Sequence, residues 1–481
     1  MPLRDTAEAI DRRVGDAVST GVRAHHARRL SRLGNDALEA PGGGWAEDAF
    51  PPRQGNQLEL LIDGEQALER MIESLERATA YVHISGWFMS PDFVMRDGSD
   101  PVVVRNLLAK LAERIDVRVL LWAGAPVPLF RPSRRMARQT RAELVAAGRI
   151  RCELDPYERP LHCHHEKTIV IDGREAFVGG IDLTSLSGDR RDSSRHPARA
   201  AVGWHDVAAV VSGPVVADVA EHFALRWHGV TGERLAVGAP APAAGSSTVQ
   251  LVRTVPERVY GGLRQGSFGV LESYVRAIRS AQRLIYIESQ YLWSPEIVAL
   301  LAEKLRDPPH DKFRMLLVLP GRPKGGTDDT RGALAELITA DDGAGRVLAC
   351  SLYAPAGSVS DLIYVHAKVG VIDDRVLIVG SANLNDHSMF NDTEAALVTD
   401  DAELATATRH RLWAEHLECS LAEASGDATE LIDQVWRPRC EEQYQRRRAG
   451  RPMTHRISRI DGASRRSARL LGPLQGLLVD G

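Results

Sequence analysis

Two stretches of this chain carry the same reactive side chains at the same spacing. HHEKTIVIDGREAFVGGIDLT holds His165, Lys167 and Asp172, and VHAKVGVIDDRVLIVGSANLN holds His366, Lys368 and Asp373. Both read His-x-Lys-x4-Asp, with the histidines 201 residues apart. Histidine titrates near neutrality, so one imidazole can start neutral and act as nucleophile or base while the other starts protonated and acts as acid. Lysine adds fixed positive charge. A lone His-x-Lys pair on a strand is common and means little. Two copies with identical internal spacing mean more, because a polar pair set in apolar strands costs burial energy unless it lines a site.

The elements that must position these groups repeat as well. RATAYVHISGWF from Arg77 aligns without a gap on SAQRLIYIESQY from Ser280, and each follows a helical segment, LERMIESLE or LESYVRAIR. Both copies then pass through a helix to an apolar strand, VRVLLWAGAP or FRMLLVLPGRP. Alternating helical and strand periods predict a layered α/β sheet, and the offset predicts an internal duplication. On a straight strand His165 and Lys167 share one face, and Asp172 falls on the other. IDGR and IDDR sit between apolar runs as hairpin turns, so Asp172 and Asp373 are expected to fix backbone geometry there. Asp182 and Asn383 each follow their histidine by seventeen residues, placed to return toward the same cleft.

Bulk properties narrow the surroundings. The 481 residues are 44% hydrophobic with a net charge of −4, enough apolar material for a large core in two or more units. The charge balance gives no global pull toward nucleic acid, leaving only local clusters. One lies at the C-terminus, where eleven arginines fall between Arg437 and Arg469; it reads equally as a solvated helical tail or as a contact for an anionic surface. Another is GAPVPLFRPSRRMAR (124–138), where Val127, Leu129 and Phe130 stand beside Arg131, Arg134 and Arg135 as a lipid-facing loop or a lid. The five cysteines form no CxxC pair, the N-terminus lacks an apolar signal segment, and no run of eighteen apolar residues occurs, which together predict a cytoplasmic protein. A zinc site at 162–165 is not expected. On a strand His162 and His164 face away from Cys163 and His165, and the second copy, YVHAK, lacks the extra ligands.

At these residues the chain resembles the phospholipase D superfamily, marked by this duplicated motif, over about residues 56 to 420. GGIDLT, WHDVAAVVSGPVVADVAEHFALRW, IYIESQYL and GSANLNDHSMFNDTEAAL resemble the true phospholipase D branch. The resemblance implies duplicated α/β domains, each a mixed β-sheet flanked by helices, with the active site at their pseudo-twofold interface. The corresponding division is an arm and loop at 1–55, a first domain at 56–230, a linker at 231–249, a second domain at 250–425 and a basic tail at 426–481. The resemblance also makes His165, Lys167, Asp172, His366, Lys368 and Asp373 the catalytic set. Within it His165 attacks phosphorus to form a phosphohistidine, and His366 protonates the departing alcohol and then activates water. Asp206 and Glu394 match the carboxylates that orient the imidazoles, each expected with its own motif, and Asn383 and Asp182 would assist the lysines on phosphate. Asp182 departs from the Asn of many bacterial members, and a carboxylate there would repel a phosphodiester unless offset by a cation.

No cofactor or metal is expected. The implied reaction is hydrolysis of a glycerophospholipid headgroup to phosphatidic acid. The rivals are phosphatidyl transfer to an alcohol, as in transphosphatidylases and cardiolipin synthase, a nuclease-type phosphodiesterase, and an inactive scaffold. A phospholipid substrate, peripheral contact with an anionic inner-membrane surface, no nucleic acid and a monomeric state complete the expectations.

Overall fold

The computed structural model describes residues 2–126, 131–159, 162–186, 188, 190–197, 202–321, 327–356 and 359–460. In the first half β1 (Arg53–Ile62), β2 (Tyr81–Gly86), β3 (Asp116–Trp122), β4 (Arg151–Asp155), β5 (Thr168–Ile171), β6 (Glu175–Gly179) and β7 (Val207–Ser212) lie side by side in the order β1-β7-β6-β5-β2-β3-β4. The second half has β8 (Ser247–Val255), β9 (Leu284–Glu288), β10 (Arg314–Val318), β11 (Val347–Ala356), β12 (Val369–Ile372), β13 (Val376–Gly380) and β14 (Glu394–Thr399). Their order, β8-β14-β13-β12-β9-β10-β11, is the same topology again. The three strands joined by helices are parallel and the rest antiparallel, as expected for short hairpins set beside long crossovers. The fold is mixed α/β.

Alternation along the strands divides the core into layers. Val170, Val178 and Ala209 share one buried cluster with Val369, Val371 and Leu397, so the two sheets bury their inner faces against each other. Ile169, Ile171 and Phe177 point the other way, onto the first half's helices, and Ile372, Ile378 and Ala396 do the same in the second. A fully buried valine or leucine contributes about 1.5–3 kcal/mol, so separating the halves would forfeit more than the net stability of an ordinary domain. The halves therefore act as one packed body, and their mutual placement is fixed.

Two further pairings join the sheets. β1 runs antiparallel to β8 at Arg53 and Asn56, and the strand Val359–Val365 runs parallel to Gly203–His205. The arm expected at 1–55 contains the helix Pro2–Leu33, which docks on the second half: His26 stacks on Phe390 at 3.9 Å, and Arg29 pairs with Glu257 at 2.6 Å. A basic tail beginning at 426 does not describe what is seen, since residues 426–460 fold onto the second half. Trp436 and Cys440 are buried, and Ile457–Arg459 pairs with β11 and covers its edge. Three of the arginines are spent internally, with Arg437 donating to the Gly345 carbonyl, Arg456 to the Ser194, Arg195 and Glu415 carbonyls, and Arg459 pairing with Glu441, while Arg448 and Arg451 are exposed. Residues 461–481 lie outside the described residues, as do Val127, Leu129 and Phe130 of the loop at 124–138. Arg134 of that loop is held by Glu158 at 2.8 Å, while Arg131 and Arg135 are exposed.

Candidate active site

The motif histidines and lysines do not lie on a strand. β5 begins at Thr168 and β12 at Val369, so His165–Lys167 and His366–Lys368 occupy the connections just before them. The reason is visible in the backbone bonding. His165 N–H and Glu166 N–H both donate to the Thr393 carbonyl, and His366 N–H donates to the His205 carbonyl, so the other half of the molecule takes the bonds a strand neighbour would otherwise take. Each histidine is thereby pinned to the opposite half.

The carboxylates follow the same crossing. His165 Nδ1 meets Glu394 Oε1 at 3.0 Å, and His366 Nδ1 meets Asp206 Oδ2 at 2.7 Å. The expectation that each carboxylate serves its own motif is corrected, because β7 and β14 reach the interface with their N-terminal ends beside the other half's histidine. Both contacts engage Nδ1 and leave Nε2 as the nitrogen turned to the space between the rings, whose centroids are 6.4 Å apart. All four groups are buried. Glu394 is also held by the hydroxyls of Ser381 and Ser388, which donate to its two oxygens. At the position matching Ser381 the first half has Gly180, where a Cβ would lie 2.1 Å from Asp206 Oδ1. The Val207 N–H donates to that oxygen at 2.8 Å.

The lysines flank the rings. Lys167 Nζ is 3.3 Å from Asp182 Oδ2, whereas Lys368 Nζ donates at 3.2 Å to Gln290 Oε1, which also receives the Asn383 amide at 3.3 Å. Asp182 and Asn383 thus both reach the site, one as a charge on its lysine and the other as a neutral neighbour. Asp172 and Asp373 do not reach it, and the structure removes them from the catalytic set. Each begins a tight turn with positive φ, 52° at Asp172 and 53° at Asp373, about 20 Å of extended chain from its histidine. The Asp172 carboxylate accepts from the N–H groups of Thr79, Ala80 and Tyr81, and that of Asp373 from those of Gln282, Arg283 and Leu284. Those carboxylates tie the turn to the start of β2 or β9.

Electrostatics separates the two halves. Burial, reinforced by Lys368, Arg190, Lys167 and His165, holds the His366 imidazole well below its ordinary range. Burial pushes the Asp206 carboxyl up to about 6, against the pull of Lys368 and Arg190. The pair therefore takes up a proton only on the acid side of neutrality. Beside it lies a second network, with Asp63, His196, His205 and Glu415 within 4.8 Å of one another. Burial pulls His196 down, but Asp63, Asp192 and Glu415 at 3.1, 3.0 and 3.1 Å push it up to about 10, and a protonated imidazole is no metal ligand.

Sequence reasoning missed Gln290, Ser381, Ser388, Trp204 and Arg190. Gln290 and Ser381 were findable, since they align on Trp87 and Gly180 and mark where the copies diverge. Trp204, tilted 4.9 Å from the His366 ring, and Arg190, 4.6 Å over the Trp204 ring, lie in segments with no periodic signal.

With this geometry in hand, comparison with known proteins is informative. Residues 274–415 match a family described as cardiolipin synthase, PLD-like domain. The chain is 27% identical to phospholipase D A of Dictyostelium discoideum over 76% of its own length and 36% of that protein's. It is 23% identical to phospholipase D2 of Bos taurus over 74% and 50%, and 26% identical to cardiolipin synthase A of Pseudomonas fluorescens over 80% and 74%. It thus spans between about a third and a half of the length of these two phospholipases. Among solved structures, phosphatidylserine synthase of Haemophilus influenzae shares the fold, with a TM-score of 0.52 and 12% identity over 88% of this chain and 98% of that one. Twice-repeated histidines and lysines meeting across a duplicated sheet, in a chain with these relatives, support the phospholipase D superfamily.

Proposed function

We propose that the protein cleaves the headgroup phosphodiester of a glycerophospholipid through a phosphohistidine intermediate, giving phosphatidic acid. The observation that supports this best is the facing pair of imidazoles, each backed by a carboxylate from the opposite half and flanked by a lysine. An anionic diester resists attack, so local positive charge, a nucleophile and an acid must converge on it. His165 Nε2 attacks phosphorus, the bond to the headgroup oxygen breaks, and the proton on His366 passes to that oxygen. Neutral His366 then takes a proton from water, whose oxygen displaces His165 and restores the free imidazole. Lys167, Lys368 and Asn383 hold the non-bridging oxygens. Asp206 and Glu394 fix the ring orientation and favour the imidazolium when it forms.

The electrostatics adds a step to this scheme. At rest His366 is neutral, the wrong form for an acid. Burial is the larger cause of that state, but a diester anion among Lys167, Lys368 and Arg190 offsets the repulsion those cations add, so substrate binding shifts His366 toward its acid form. Transfer to an alcohol in place of water uses the same intermediate, and likeness over most of its length to a cardiolipin synthase favours that second reading. Peripheral contact with lipid is part of this reading; among the described residues no helix is long and apolar enough to cross a membrane.

The test incubates purified protein with vesicles of phosphatidylcholine, phosphatidylethanolamine and phosphatidylglycerol plus ethanol, with His165→Ala as control. Phosphatidic acid and phosphatidylethanol, both lost in the variant, are expected, and their ratio separates hydrolase from transferase. Absence of any lipid product from folded protein would remove the lipid reading.

A further inference from the structure

The first half of the site carries a charge that works against its own task. Asp182 lies 3.3 Å from Lys167 and cancels its positive charge, whereas Asn383 at the matching place leaves Lys368 uncancelled. A site for an anion built this way would be one cation short on one side. The missing charge is present nearby, on a residue outside both motifs.

Arg190 is 4% exposed, and its Nε and Nη1 have no hydrogen-bond partner; Nη2 makes one long contact, 3.4 Å to the Leu186 carbonyl. Burying a guanidinium with most of its donors unmet is costly, and proteins accept that cost where a ligand completes the bonding. Its plane lies 4.6 Å over Trp204, whose ring in turn lies 4.9 Å from the His366 ring. The segment bearing it is fixed in place. The Glu65 N–H donates to the Asp192 carbonyl, and Asp192 Oδ2 accepts from the Trp204 N–H. Gly64 lies so close that a Cβ there would fall 1.5 Å from the Arg190 carbonyl oxygen. Such packing gives the guanidinium little freedom to leave for solvent.

We propose that Arg190 is a third phosphate-binding cation of the site, donating an unmet guanidinium N–H to a non-bridging oxygen and supplying the charge that Asp182 removes from Lys167. The inference deepens the phosphodiester reading and rests on it. Arginine suits the place because its planar fork can engage phosphate oxygens bidentately and stack on an aromatic ring at once, which an ammonium cannot do. It also explains how a carboxylate is tolerated where a neutral amide would serve.

Inorganic phosphate is the test ligand, so the experiment stands apart from any lipid turnover. Its binding is measured by calorimetry on the full chain for wild type, Arg190→Gln, Arg190→Met, Asp182→Asn and the double variant D182N/R190Q. Loss of a charged hydrogen bond is expected to weaken binding by about tenfold to a hundredfold in R190Q and in R190M, whose stem still packs on Trp204. D182N/R190Q should regain most of that loss by freeing Lys167. Removing the neighbouring carboxylate restores net positive charge without restoring the arginine's packing, so a merely structural arginine would not be rescued by it. Wild-type phosphate affinity in a folded R190Q or R190M, or a double variant binding no better than R190Q, would overturn the proposal.

Discussion

The two halves of the site share a plan and differ in how each imidazole is backed. His165 leans on Glu394, which two serine hydroxyls also grip, while His366 leans on Asp206, which is shorter and fits only because Gly180 has no side chain. The carboxylate and the residue packed against it have changed together, Glu394 with Ser381 and Asp206 with Gly180. Beside His366 stand Lys368 and Arg190, and beside His165 stands a lysine already neutralised by Asp182. A duplicated motif thus supplies two chemically different histidines, which a two-step displacement needs and a symmetric pair would not provide.

The hardest blow to that comparison is removal of either ring. His165→Ala and His366→Ala are each expected to lower turnover of a lipid headgroup by about 10⁴-fold or more, as for other nucleophile and acid–base pairs acting as a unit. Next comes the glycine. Gly180→Ser, which copies Ser381 into the first half, should displace Asp206 and cost about 10²-fold or more in kcat, whereas Ser381→Gly should cost about tenfold or less because Ser388 still holds Glu394. Equal effects from the two exchanges would show the backings to be equivalent.

A pH profile sharpens the same contrast. His366 is depressed in the free protein, so its acid form is lost as pH rises through a low value, and the alkaline fall of kcat/KM should begin at low pH. With an anion bound the repulsion is offset, and the alkaline fall of kcat should sit at higher pH. Coincident limbs would exclude loading of the acid by substrate.

The mildest change is outside the site. Asp172→Ala removes an acceptor of three backbone N–H groups and is expected to cost about 1–3 kcal/mol in stability, read by denaturant unfolding, with kcat per folded molecule unchanged. Burial raises the Asp172 carboxyl less than those N–H groups lower it, so its contribution is present above the ordinary carboxylate range and lost as pH falls through the depressed value.

Much of this was legible in the residues alone. Periodicity and the repeated offset carried the α/β class and the duplication, and the turn signals IDGR and IDDR placed Asp172 and Asp373 at a turn, even though the motif counts them with the histidines. Strand parity at His165 and at its counterpart His366 failed because the N–H groups of His165 and Glu166 go to the Thr393 carbonyl and that of His366 to the His205 carbonyl, distant positions that no local pattern announces. The crossing of Asp206 and Glu394 was hidden for the same reason, since the sequence groups each carboxylate with its nearer motif while packing exchanges them. The C-terminal arginines read as a tail because their partners are backbone carbonyls far along the chain, such as Gly345 and Ser194. Arg190 gave no signal, because an unmet donor is a property of its surroundings.

The most direct test of two histidines with separate tasks uses a phosphodiester with a nitrophenol leaving group, which departs without an acid. His366→Ala is expected to release about one equivalent of nitrophenol per site in a burst and to carry the phosphoryl adduct on His165 in peptide mass analysis, while His165→Ala gives neither. A burst and adduct on His366 in His165→Ala, with none in His366→Ala, would reverse the roles and contradict the account.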